Sequence, residues 1–257
     1  MENREYGSVI GSPSAPYVNG LAGRFGLATA AYGASHPSLP NYLDLIAGTT
    51  FGITSDCTDC LVDGQNLADQ FDAAGVRWAA YAEGLPSPCF QGPSADGGYA
   101  KKHNPWVYVR HLVASPTQCG RVRPLTSFAA DVGGPSAPAF IWVSPNLCHD
   151  GHDCSTDSAD SWLRSFIDPV LGSAWYATGG VIIVTWDEGD TSAGCCGSAA
   201  GGHVATLVLS AHTRPGARMA TPVDHAGVLR TIEDLYGVGH LGDAACMCSG
   251  SLAPLLS

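Results

Sequence analysis

A chain of 257 residues with 45% hydrophobic and only 14% charged side chains can bury a full core and is too apolar to be disordered. Its net charge of −11 argues against nucleic acid as a bulk electrostatic partner and against tight adsorption to anionic membranes. No transmembrane candidate and no dividing linker is present, so one domain over residues 1–257, without stable membrane insertion, is expected.

Residues 13–23 read as a turn and a short helix with Tyr17 and Leu21 one turn apart, and Leu27 to Tyr32 as a strand of small residues. The run Ser35-His36-Pro37-Ser38-Leu39-Pro40-Asn41 holds two prolines and is expected as a loop, with a helix resuming over Tyr42 to Ala47. Ser38 then sits before a helix N-terminus, where free amides favour an anion. Asn66 to Gly75 reads as an amphipathic helix ended by glycine, and Val76 to Ala82 as the strand after it. Residues 83–123 break into a Pro- and Gly-rich excursion carrying Lys101-Lys102-His103-Asn104-Pro105-Trp106. A loop that long inside a compact domain is expected to cover an active site.

Ala139 to Ser144 reads as a buried strand, followed by a polar loop with His149, Asp150, His152 and Asp153, then a helix with Trp162, Leu163, Phe166, Ile167 and Val170 on one face. Val181 to Val184 reads as a strand buried on both faces in mid-sheet, with Asp187 and Glu188 at its carboxyl end. Open α/β sheets gather ligands there, so adjacent acids point to metal binding or proton handling. His203 precedes a strand at Ala205 to Ser210, and the last helix runs from about Asp224 to Tyr236. The alternation predicts an α/β fold, a three-layer α/β/α sandwich on a mainly parallel sheet. Glycine motifs for dinucleotides or a P-loop are missing, as are Gly-x-Ser-x-Gly and His-Glu-x-x-His.

Ten cysteines favour disulfides and an oxidising compartment, hence a secreted or otherwise extracytoplasmic protein, although the sequence opens Met1-Glu2-Asn3-Arg4 with no apolar leader. Cys57-x-x-Cys60 has the spacing of half a zinc site, but nothing supplies the other half. A strand-helix-strand unit brings Cys89 back towards these two, so a Cys89 disulfide with Cys57 or Cys60 is expected. Cys195-Cys196 and Cys246-x-Cys248 are close enough that each is expected to bond elsewhere.

Six segments in order (Glu2-Asn3-Arg4, SHPSLPNYL with AGTTFGIT, YAKKHNPW, His152-Asp153, VTWDE and DHAGVLRTIEDLYG) cover nearly the whole chain. Together they resemble the acid phosphatase and phospholipase C type phosphoesterases of the alkaline-phosphatase-like superfamily, bacterial secreted acid phosphatases in particular. The resemblance implies Ser38 as nucleophile, Glu2, Asn3, Asp187 and Glu188 as metal ligands, and His152, Asp153 and His225 as further catalytic groups. Asn41, Lys102 and His103 are expected to hold the phosphate.

The implied reaction is metal-assisted hydrolysis of a phosphate monoester through a phosphoserine, a phosphoinositide being one such substrate. A phospholipase C type phosphodiesterase is the alternative, and a silent binding domain a third reading. An all-oxygen ligand set suits calcium, magnesium or manganese better than zinc, unless His152 and His225 turn inward as ligands. One departure stands out: in the family an aliphatic strand leads directly into the Glu-Asn pair, whereas here Glu2 follows only Met1. The expectation is a sheet short of an inner strand, a metal site short of a rigid support, and a Met1 internal to a longer natural chain.

Overall fold

The structure, a computed structural model, describes residues 1–256. Helix α1 (Pro16–Arg24) opens on proline, whose missing N–H costs nothing in a first turn, and leads into strand β1 (Gly26–Tyr32). Helix α2 spans Ser38–Ala47 and therefore starts earlier than the two prolines suggest. Pro40 falls in its first turn, where the amide has no acceptor within the helix, so the helix tolerates it. Helix α3 (Leu67–Ala74) is fixed by a reciprocal Asn66 and Asp69 cap and ended by Gly75 at φ 69°. Strands β2 (Trp78–Ala82), β3 (Val122–Pro124) and β4 (Phe140–Ser144) follow, then helix α4 (Thr156–Leu171) and strands β5 (Val181–Thr185), β6 (His203–Ser210) and β7 (Val223–Asp224). Helix α5 (His225–Tyr236) is capped by the Asp224 side chain.

Strands β7, β1, β6 and β5 form one part of the sheet in that order, and β3, β2 and β4 the other. Pairing is parallel except at β6, which runs antiparallel to both neighbours. Helices α1 and α4 cover one face, with Leu21, Leu163 and Ile167 packed on Leu207 and Val208. Helices α2, α3 and α5 cover the other through Leu43, Phe71 and Leu229. The result is an α/β/α sandwich. Leu39, Leu43 and Ile46 of α2 are fully buried, so truncating any of them should cost about 2–5 kcal/mol and displace Ser38 on the same helix.

The two parts of the sheet do not touch through hydrogen bonds. Between the edges of β4 and β5 lies an apolar slot of about 810 Å³, walled by residues such as Ile141, Val143, Phe166 and Ile182. Met1 sits at one end, its amine donating to the Thr185 carbonyl at 3.2 Å and its carbonyl accepting the Asp187 amide at 2.9 Å, the pattern of parallel pairing. Strand β5 pairs on one side only, with β6, and Val181, Ile182 and Ile183 are half-buried, short of the burial on both faces expected from its run of aliphatic residues.

Residues 83–123 are more ordered than expected, folding into a two-residue hairpin, 3₁₀ turns at Lys101–His103 and Pro105–Tyr108, and two short helices. Trp106 to Val109 are fully buried and Trp106 stacks on Trp78, so the middle of the excursion is core.

All ten cysteines are paired, but not as expected. Cys89 bonds Cys119, because its amide donates to the Val122 carbonyl and so lies beside the end of the helix that carries Cys119. Cys57 bonds Cys60, which removes the half zinc site. Cys195–Cys196 and Cys246–Cys248 bond within themselves, correcting the expectation that each bonds elsewhere. Cys195 and Cys196 are neighbours in the chain, 3.7 Å apart between Cα atoms, and a local turn brings the Cα atoms of Cys246 and Cys248 to 5.1 Å, within the usual bridging range. The fifth, Cys148–Cys154, closes the loop of Asp150 and His152.

Candidate active site

Helix α2 presents Ser38 at its first position, and the turn after β5 presents Asp187 and Glu188. The Ser38 hydroxyl is within hydrogen-bond distance of Glu2 Oε2 (3.1 Å) and Glu188 Oε1 (3.2 Å). All four residues are buried, at 0–6% exposure. Asn3 takes a left-handed backbone (φ 48°), which asparagine tolerates, and its amide donates to Asp187 Oδ1 at 3.1 Å. One turn along α2, the Tyr42 hydroxyl donates to Glu2 Oε1.

His103 lies between two carboxylates, Nε2 3.2 Å from Glu2 Oε2 and Nδ1 3.0 Å from Asp150 Oδ2. Asp150 also binds the loop together: its Oδ1 accepts the His152 amide at 2.7 Å and its carbonyl the Glu2 amide at 2.9 Å. Glu188 Oε2 is paired with His36 Nδ1, whose Nε2 contacts the Thr191 carbonyl at 3.0 Å.

The charges are unequal in their environments. Burial penalises Glu2, but the His103 cation, the N-terminal ammonium and the Tyr42 hydroxyl together outweigh it and hold the carboxyl down at about 2. Burial works against the His103 cation too, and the Glu2 charge with the Asp150 contact reverses that, raising the imidazole to about 10, so it is protonated at neutral pH. Asp187 gets too little relief: burial and the Glu2 and Glu188 charges push it well above the carboxylate range, against weaker opposing pulls from the N-terminal ammonium and His103. Glu188 is raised by burial, only partly offset by His36.

Two buried acceptors in this cluster, Asn3 Oδ1 and Asp187 Oδ2, have no hydrogen-bond partner. Unpaired oxygens beside carboxylates that repel one another are what a cation would satisfy, and Glu2, Asn3, Asp187 and Glu188 offer oxygen alone, so the residues fit a hard divalent ion. A second set, Glu2, His103 and Asp150, has donor atoms within 4.8 Å of one another. There both ring nitrogens face carboxylates, which suits an imidazolium better than a ligand.

The remaining expected residues fall in two places. Lys102 Nζ donates to Asp56 Oδ2 at 2.9 Å and to His152 Nε2 at 3.1 Å, and His152 Nδ1 meets Asp153 Oδ1 at 2.7 Å. With Lys102 charged, His152 is the neutral tautomer that accepts at Nε2 and donates from Nδ1. His225 is buried and donates from Nε2 to the Trp186 carbonyl at 3.1 Å. Burial lowers its pKa to about 4, so it is neutral. These bonds occupy His152 with Lys102 and Asp153, not with the acid cluster.

Asn41 is bonded within its own loop. Expected at the phosphate, it instead spends Oδ1 on the Ser35 amide (2.9 Å) and Nδ2 on the Ser35 and Pro37 carbonyls (2.8 and 3.1 Å), bracing the loop that presents Ser38. Sequence reasoning passed over Tyr42, His36 and Asp56, and gave Asp150 no role of its own. Of these, Tyr42 carried a signal, since a spacing of four from Ser38 on a helix shares its face.

The model of the "Phosphoesterase family" matches residues 11–239. The chain is 36% identical over 95% of its length to a phosphatidylinositol-3-phosphatase of Mycobacterium tuberculosis, spanning 77% of that protein. To an acid phosphatase of Aspergillus fumigatus it is 30% identical over 74% of its length, spanning 44% of that protein, and it spans 58% of a probable acid phosphatase of Kluyveromyces lactis. Among solved structures, a protein of the alkaline phosphatase superfamily from Vibrio parahaemolyticus aligns at TM-score 0.63 and 12% identity, over 96% of this chain and 68% of that one. That likeness is one of fold. The sequence match over most of the chain, on a fold of this superfamily, means that the chain belongs to the Phosphoesterase family and is a phosphoric ester hydrolase.

Proposed function

We propose that the protein hydrolyses phosphate monoesters with Ser38 as the nucleophile. The observation that carries this reading is the Ser38 hydroxyl held between the buried Glu2 and Glu188 carboxylates, in a cluster that retains unpaired oxygens. Glu2, Asn3, Asp187 and Glu188 hold a divalent cation, which when bound favours ionisation of the serine hydroxyl and screens the phosphate charge. Ser38 attacks phosphorus, the ester oxygen departs with a proton, and water cleaves the phosphoserine to regenerate the hydroxyl. His103, kept cationic by its two carboxylates, and Lys102 supply fixed positive charge for a dianion. His152, oriented by Asp153, takes up at Nε2 the proton that Ser38 loses, once substrate displaces its bond to Lys102, and passes it to the leaving oxygen.

The name of the mycobacterial relative supports a phosphoinositide monoester as one substrate class. The fully paired cysteines support an extracytoplasmic setting, and no helix among the described residues is long and apolar enough to cross a membrane. The test is phosphate release from p-nitrophenyl phosphate and from bis(p-nitrophenyl) phosphate, with and without chelator. The expected result is monoester turnover that chelator abolishes and magnesium, manganese or calcium restores. Faster diester turnover, or monoester turnover indifferent to chelation, would overturn it.

A further inference from the structure

Both lysines of the Lys101-Lys102-His103 turn are tied to one small loop. Lys101 Nζ donates to the Thr58 carbonyl at 2.7 Å and Lys102 Nζ to Asp56 Oδ2 at 2.9 Å, in a segment closed by Cys57–Cys60. The other oxygen of Asp56 accepts the amide of Leu39 at 3.0 Å. Leu39 follows Ser38 in the first turn of α2, where that amide has no partner within the helix. One carboxylate therefore joins the helix of the nucleophile to the ammonium of Lys102.

Lys102 Nζ has three N–H bonds, and Asp56 and His152 take two, leaving one free. Burial alone would lower the Lys102 pKa, but Asp56, with Glu2 and Asp187 further off, raises it, so the charge is secure and the acid cluster is close enough to be felt. The chemistry above does not use Asp56. A carboxylate near a site for a phosphate dianion is unfavourable unless a cation beside it neutralises it. A lysine on its flexible four-carbon stem clamps an anion poorly unless something fixes it beforehand.

We propose that Asp56 is a positioning residue that fixes Lys102, at a set distance from Ser38, as the cation that clamps the phosphate. This rests on the phosphomonoesterase reading. The competing role is structural, a plain cap for α2, and Asp56→Asn separates the two. An asparagine Oδ1 still accepts the Leu39 amide, but its NH₂ faces Lys102 with a donor where an acceptor is needed.

The experiment is a double-mutant cycle on metal-supplied protein with wild type, Asp56→Asn, Lys102→Met and the double variant. The readouts are kcat and KM for p-nitrophenyl phosphate and the Kd of inorganic phosphate by calorimetry. Asp56→Asn should lower kcat/KM about tenfold, chiefly through KM, and weaken phosphate binding by a similar factor. It should cost little more once Lys102 is methionine, with the melting temperature unchanged throughout. Equal losses in both backgrounds, or no loss with Lys102 present, overturn the proposal. If the wild type releases no phosphate from the monoester yet binds inorganic phosphate, the parent reading fails while the binding cycle still decides on Asp56. Absence of both overturns the two together.

Discussion

Ser38 combines burial with the task of attacking a substrate, and its two carboxylate partners show how little its fold depends on it. Removing the hydroxyl leaves Glu2 with Tyr42 and His103, and Glu188 with His36. Ser38→Ala should therefore cut kcat by about a thousandfold or more, as expected for a covalent nucleophile, while moving the melting temperature by only a few degrees. A fall of less than about tenfold would remove the serine from that role. Asp187 should behave oppositely. Its buried carboxyl is held against Glu2 and Glu188, so Asp187→Asn should weaken cation binding and activity yet raise the melting temperature of chelated protein. Calorimetry with and without chelator checks this: the gap between the two conditions should shrink. Glu2, Asp187 and Glu188 could be named from the sequence because a carboxyl-end position and a motif are local properties. The bracing of Asn41 and the His103 clamp of Asp150 could not, since each depends on partners set by the fold.

Between α2 and α5 the packing hides a second electrostatic cost. Asp44 of α2 is buried, and burial with the Asp224 and Asp243 charges lifts its carboxyl to about 8, although the Ala226 amide opposes the shift. Because the folded state favours the protonated acid, the stability it supports is complete below an unfolded pKa of about 4 and is lost as pH rises through about 8. Asp44→Asn keeps an acceptor for that amide and loses the charge. The melting temperature should rise at pH 8 and stay nearly level at pH 4, and an equal change at both would show that Asp44 is ionised in the fold. The helix-strand order was legible because apolar periodicity and the glycine stops at Gly75 and Gly237 are sequence features. The antiparallel run of β6 had a signal too: no helix separates it from β5, and a parallel return needs a crossover.

On the scale of the molecule, the disulfides are local staples. Four of them join residues one to six apart and the fifth spans 30, so they remove little chain entropy. Cys57–Cys60 and Cys148–Cys154 instead fix loops beside the site. The slot between β4 and β5 has a larger reach, because a sheet is what makes a domain of this kind unfold as one unit. Among the described residues the two ladders share no strand pairing, and side chains such as Trp142 and Ile232 pack against both cores. Cooperativity should be weakest along that seam, where two strand edges present amides to solvent and to other molecules. Native-state hydrogen exchange should find the amides of β4 and β5 opening more readily than those of β1 and β2.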